Sequence, residues 1–198
     1  MVRIYDRYAS MYDHLFERFF YPTKLLALSS IDFPANARVL DIGIGSGMSL
    51  TLFPEHCRIV GIDISYKMLV EARKKACQSS KNISLITANG ERLPFEDNAF
   101  DFILMSHVLS VIPNPERALQ EVHRTVKKEG NVVIINSFLS ANPVFRRFQK
   151  AMNPVCYCLG WKNNISINRI HRADFFDITS IEKHKPHTPW SVVRLRPL

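Results

Sequence analysis

The segment that most restricts this chain is Arg38-Val-Leu-Asp-Ile42, which runs straight into Gly43-Ile-Gly45-Ser-Gly47. A short apolar run is strand-sized. Glycines at alternate positions then predict a turn whose backbone must approach a ligand closely, because no side chain stands in the way. A second apolar run, Arg58–Ile62, leads to Asp63, twenty residues after Gly43. A carboxylate at the end of that strand is placed to accept hydrogen bonds from both ribose hydroxyls of a nucleoside. The dinucleotide fingerprint G-x-G-x-x-G needs glycine at position 48, where this chain has Met48. A nucleoside ligand without a pyrophosphate is therefore expected.

From Arg38 onward strand and helix patterns alternate. Strands are predicted at Arg38–Ile42, Arg58–Ile62, Ile83–Thr87, Phe100–Ser106 and Asn131–Ser137, and helices at Gly47–Phe53, Tyr66–Cys77 and Pro115–Lys127. Such alternation makes right-handed βαβ units, a mostly parallel sheet and an α/β fold with helices on both faces. Before it, Ile4 to Phe20 carries aromatic and aliphatic residues at helical spacing, with the charged residues opposite. This predicts an amphipathic helix ended by Pro22. After Ser140, Pro143–Leu159 reads as a basic helix broken near Pro154, with late strands at Ile178–His184 and Ser191–Leu195. The 198 residues suit a single domain. Its parts are an amphipathic segment (1–36), a ligand-binding core (37–140) and a basic segment (141–198).

Charge is unevenly spread. Of a net +8, residues 143–198 hold ten basic and three acidic groups. An anionic partner is the natural complement, either nucleic acid or an anionic membrane surface. No run approaches the roughly 20 apolar residues of a membrane span, and the N-terminal stretch lacks the pattern of a secretory signal. A cytoplasmic location is expected. Cys57, Cys77, Cys156 and Cys158 lack metal-site spacing and read as reduced thiols, with no metal expected.

Taken together, Leu40-Asp41-Ile-Gly43-Ile-Gly45-Ser-Gly47, Gly61-Ile-Asp63-Ile-Ser65-Tyr-Lys-Met68 and Glu91-Arg-Leu-Pro-Phe95 with Phe100-Asp101 resemble the class I S-adenosylmethionine-dependent methyltransferases. The resemblance implies a Rossmann-like doubly wound, seven-stranded sheet with an N-terminal lid helix. It also implies S-adenosylmethionine as cofactor and S-adenosylhomocysteine as product. By the same resemblance Asp41, Gly43, Ile44, Gly45 and Gly47 meet the methionine part, Asp63 the ribose, and Ile64 and Met68 the adenine face. Asn89, Gly90 and Glu91 then lie along the adenine edge, and Ser106 and His107 lie beside the sulfonium.

Tyr5-Asp6-Arg7-Tyr8-Ala9-Ser-Met-Tyr12-Asp13 is similar to the lid helix of quinone-type and phospholipid-type methyltransferases. That similarity assigns Tyr12 and Tyr8, with His107, to the reacting centre. Val111-Ile-Pro113-Asn-Pro115-Glu116, Arg124-Thr-Val-Lys127-Lys-Glu-Gly130 and Leu159-Gly160-Trp161-Lys162 are similar to the short bacterial phosphatidylethanolamine N-methyltransferases. This implies stepwise N-methylation of phosphatidylethanolamine toward phosphatidylcholine by a peripheral protein, with Arg146, Arg147 and Lys150 available to a lipid phosphate. The alternatives are a ubiquinone- or menaquinone-type C-methyltransferase and a non-catalytic cofactor-binding protein. A nucleic-acid methyltransferase is not expected, because His107-Val-Leu-Ser replaces the Asn/Asp-Pro-Pro-aromatic element after the fourth strand.

Overall fold

The computed structural model describes residues 12–140, 142–158, 165–167, 170, 174–183 and 190–198. In chain order the elements are α1 (Tyr12–Ser29), β1 (Arg38–Ile42), β2 (Arg58–Asp63), α2 (Tyr66–Cys77), β3 (Asn82–Thr87), β4 (Phe100–Ser106), α3 (Pro115–Thr125), β5 (Val126–Ser137), α4 (Pro143–Ala151), α5 (Asn153–Cys158), β6 (Phe176–Glu182) and β7 (Trp190–Pro197). The strands form one sheet in the order β3-β2-β1-β4-β5-β7-β6. β3 through β5 run parallel, and β7 inserts antiparallel between β5 and β6. The strand order reverses between β1 and β4, so the loops leaving them diverge and open a crevice at their carboxyl ends.

Alternation along the strands divides the core into two layers. Leu40, Ile42, Ile103, Met105, Val132 and Ile134 pack with Ala118, Leu119 and Val122 of α3. Val39, Phe102, Leu104, Val133 and Ile135 pack with Ala27 and Leu28 of α1 and with Phe33.

Three local expectations are corrected. The first helix does not end at Pro22, because α1 runs through that proline to Ser29. A stripe of buried residues, Phe20, Thr23, Lys24, Ala27 and Leu28, holds it on the sheet, and this burial outweighs the one backbone bond a proline removes. Arg194 of β7 donates to the carbonyls of Ala27 (3.0 Å) and Leu26 (3.5 Å) and to Ser30 Oγ (2.7 Å). A cation thus caps the carboxyl end of the helix.

Gly47–Phe53 is a series of turns, with i to i+3 bonds from Gly47 N to Ile44 O, Leu50 N to Gly47 O and Leu52 N to Ser49 O. Gly43, Gly45 and Gly47 all have positive φ, at 71°, 59° and 79°, so the helical register never starts. α3 stops at Thr125, and β5 begins at Val126 rather than Asn131. The broken basic helix appears as α4 and α5, and the late strands as β6 and β7, each within a few residues of its expected limits.

Candidate cofactor site

A crevice of about 360 Å³ opens at the strand reversal. Gly43 and Gly45 line it from the β1 turn, Asp63, Ile64, Ser65 and Met68 from the β2–α2 junction, and Asn89 and Gly90 from the loop after β3. Ser106, His107 and the apolar Val108, Val111, Ile112 and Pro113 close it from the loop after β4. Nine of the residues singled out in the sequence therefore meet around one cavity: Gly43, Gly45, Asp63, Ile64, Met68, Asn89, Gly90, Ser106 and His107.

The β1 turn is drawn tight by its neighbours. A Cβ on Gly43 would stand 2.5 Å from Val108 Cγ2, whereas one on Gly45 would meet nothing within 4 Å. Gly43 thus serves packing, and Gly45 offers bare backbone to the crevice. Asp63 fixes the turn, since its Oδ2 accepts from Gly45 N (2.9 Å) and its Oδ1 from Ser65 N (2.8 Å). Ser65 in turn caps α2 by accepting from Met68 N at 3.2 Å. Asn89 Oδ1 accepts from Glu91 N (2.9 Å), which leaves its amide nitrogen as the group to offer a ring nitrogen.

Four predicted cofactor residues do not line the crevice. Ile44 is buried and faces Gly61, and Gly47 packs on Leu50 and Ala72. Glu91 braces α3, its Oε1 accepting from Asn114 N at 2.5 Å. Asp41 is wholly buried, with Ser49 Oγ donating to its Oδ2. Burial pushes the Asp41 carboxyl up to about 6, against the pull of Lys24 and Ser49, and Asp63 adds a smaller upward push.

His107 follows β4 with φ 58°, a left-handed conformation uncommon outside glycine. Its ring stacks on Phe20 of α1 at 4.2 Å and meets Trp190 of β7 edge-on at 5.8 Å. Burial, helped by the Lys24 charge, lowers the His107 pKa to about 3, so the ring stays neutral. Tyr8 lies outside the described residues, as does the side chain of Tyr12, the first residue of α1. Arg146, Arg147 and Lys150 lie exposed on α4 and do not line the crevice.

Two features were missed by sequence reasoning. One is the apolar wall Val108–Pro113. The other is Lys24, whose signal was present: it falls at the i+4 position between Phe20 and Leu28, in the middle of a buried stripe.

The residues present fit S-adenosylmethionine. Buried Asp41 Oδ1, Ser106 Oγ and His107 Nε2 all lack partners, which is costly unless a ligand supplies them. Gly45 leaves room for a ligand backbone approach, and Ile64 and Met68 supply apolar surface at the crevice. When bound, that cofactor supplies an activated methyl group on a sulfonium.

Comparisons with known proteins agree. A methyltransferase domain family profile matches residues 40–134. The phosphatidylethanolamine N-methyltransferase of Cereibacter sphaeroides is 34% identical over 135 residues, which is 67% of this chain and 66% of that protein. The demethylmenaquinone methyltransferase of Shouchella clausii is 31% identical over 125 residues, 61% of this chain and 53% of that protein. The matches span about half to two thirds of the length of these curated relatives. The structure of an S-adenosylmethionine-dependent methyltransferase from Thermotoga maritima superposes with a TM-score of 0.75 at 23% identity, covering 100% of both chains. The glycine turn, the strand order and these likenesses together place the chain in the class I S-adenosylmethionine-dependent methyltransferases.

Proposed function

We propose that this protein transfers methyl groups from S-adenosylmethionine to the headgroup amine of phosphatidylethanolamine and its methylated intermediates, working from the membrane surface. The observation that carries the choice of an amine acceptor is the 34% identity to the phosphatidylethanolamine N-methyltransferase of Cereibacter sphaeroides over 135 residues. Such an amine attacks once its parent ammonium, which titrates near about 10, has lost a proton. His107 lines the crevice and is kept neutral there by burial. The chain's contribution is then to orient and to exclude water. Asp63 and the Gly45 backbone hold the nucleoside, Val108 and Ile112 wall off solvent, and neutral His107 offers one hydrogen-bonding nitrogen without adding a positive charge beside the sulfonium.

The surface supports a lipid acceptor. Val144 and Phe148 of α4 and Met152 directly after it are exposed by 76%, 60% and 37% and follow one another at intervals of four residues. Arg146, Arg147 and Lys150 are exposed beside them. An apolar ridge with basic flanks suits an anionic headgroup layer. No helix among the described residues is long and apolar enough to cross a membrane.

The likeness to a demethylmenaquinone methyltransferase favours a second reading, methylation of a quinol carbon. The test is transfer of labelled methyl into vesicles that carry phosphatidylethanolamine or a demethylated quinol, each with and without anionic lipid. Labelled mono-, di- and trimethylated phospholipid is expected, increasing with anionic lipid. Label only in the quinone would overturn the phospholipid reading.

A further inference from the structure

We propose that Glu91 is a positioning residue: it fixes the loop that carries Asn89 against the apolar wall of the crevice and so sets how strictly the nucleobase is selected. This inference rests on the cofactor reading of the crevice. Asn89 and Gly90 from the loop after β3, and Val111, Ile112 and Pro113 from the loop after β4, line the same cavity. The two loops touch, since a Cβ on Gly90 would stand 3.4 Å from Ile112 Cδ1. Directly beyond these residues they are tied, with Glu91 Oε1 accepting from Asn114 N at 2.5 Å.

The start of α3 explains why that tie exists. Asn114 caps the helix, its Oδ1 accepting from Arg117 N at 3.1 Å. A helix start of this kind is completed when an acid or amide three residues on reaches back to accept the cap residue's own N–H. Here that position holds Arg117, whose side chain can only donate. Glu91, 23 residues earlier, supplies the missing acceptor, and its carboxylate also suits the positive end of the helix. The cap is therefore completed by the loop after β3, and the wall that leads into α3 is held in register with Asn89.

The same residue orients the Asn89 amide. Glu91 N donates to Asn89 Oδ1 (2.9 Å) and Arg92 N to Asn89 O (3.0 Å). With Oδ1 engaged, Asn89 meets a nucleobase as a donor through Nδ2, which suits a ring nitrogen. Farther along, Glu121 accepts from Leu93 N (2.7 Å), and Arg124 donates to Leu93 O (3.1 Å) and Phe95 O (2.8 Å). Those bonds hold residues 93–95 to the other end of α3, so loss of the Glu91 side chain frees only the stretch that carries Asn89 and Gly90. The Glu91 bond itself is open to solvent, so its effect falls more on position than on global stability.

The test reads selectivity, which a brace for α3 alone would not move. Calorimetric titration of the full chain would compare S-adenosylhomocysteine with its N6-methyl derivative, whose added methyl group crowds the ring nitrogen that Asn89 is turned to meet. The wild-type chain is expected to prefer the unmodified ligand by about tenfold or more, the worth of one hydrogen bond. Glu91→Ala should weaken S-adenosylhomocysteine by about three- to tenfold and cut the preference below about threefold. Glu91→Gln keeps an acceptor oxygen and should retain both. Glu91→Ala combined with Arg117→Glu rebuilds the helix start locally, and it should recover the thermal stability lost in Glu91→Ala without recovering the preference. An unchanged preference in Glu91→Ala, its return in the double variant, or a wild-type chain that takes both ligands equally would overturn the inference. Failure of the wild-type chain to bind S-adenosylhomocysteine would instead overturn the cofactor reading beneath it.

Discussion

At Gly45 an added methyl group would meet no atom within 4 Å, whereas at Gly61 it would stand 2.3 Å from Ile44 Cδ1 and 2.9 Å from Leu85 Cδ2. The two glycines separate binding from folding. Gly45→Ala should cost about 1–2 kcal/mol through its positive φ and should weaken S-adenosylhomocysteine, because the methyl group enters the crevice. Gly61→Ala should lower the urea midpoint further with less effect on affinity in the folded protein. The reverse ranking in paired unfolding and calorimetric titrations would sink this division. His107 invites a second substitution. Its folded pKa, about 3, lies below the ordinary 6.5. The folded state therefore binds fewer protons than the unfolded chain and loses stability as pH falls from 6.5 toward 3. Asp41 works oppositely, since its raised pKa makes the folded state bind more protons between 3.8 and about 6. His107→Phe keeps a ring against Phe20 and Trp190 and leaves Asp41 in place. Its stability relative to wild type should rise by about 2 kcal/mol between pH 7 and pH 5. A difference that stays constant with pH would show that the imidazole does not titrate in this way. Asp63 and the glycines were legible in the sequence because spacing alone reveals them. Lys24 is legible only in part: its place within an apolar stripe shows in the sequence, but the groups it faces do not.

The elements divide by what sets their limits. β1, β2 and β4 have nearly the limits expected from sequence, because buried parallel strands write themselves as unbroken apolar runs. Pro22 predicts an end to α1 in the sequence, but the buried stripe from Phe20 to Leu28 and the Arg194 cap hold the helix together through it. The apolar spacing of Gly47–Phe53 likewise fits a helix, but the positive φ of Gly47 prevents one and the segment forms turns. α4 was legible as a basic amphipathic helix, but its orientation was not. In the fold Gln149 anchors it, accepting from Ser140 N (2.8 Å) and donating to Phe138 O (3.1 Å), and this turns Val144, Phe148 and Met152 outward. If that ridge meets lipid, Phe148→Glu should reduce sedimentation with anionic vesicles at least several-fold, because burial of one Phe side chain is worth about 1.5–3 kcal/mol. Binding of S-adenosylhomocysteine in the absence of vesicles should not change. Unaltered sedimentation would remove α4 from the membrane contact.

Across the whole molecule, the doubly wound order gathers the cofactor residues at one end of the sheet. The loops after β1, β2, β3 and β4 all reach the crevice, whereas β6 lies at the far edge beyond β5 and β7. Ligand binding should therefore stabilise the molecule unevenly. A ligand that binds only the folded state at a hundred times its dissociation constant adds about 2.7 kcal/mol, which for a chain of this size raises Tm by roughly 5–10 °C. S-adenosylhomocysteine at that excess should produce such a shift, together with slower amide exchange at Gly43–Gly47 and His107–Pro113. Amides of β6 that exchange by local opening should keep their rates, because no described residue of that strand lines the crevice. Because Phe20 of α1 packs on His107, which lines the crevice, the second half of α1, from Phe20 to Leu28, should share the protection. Unchanged exchange from Phe20 to Leu28 would mean that the ring contact between Phe20 and His107 does not transmit ligand binding to the helix, and that α1 is held by its burial on the sheet alone.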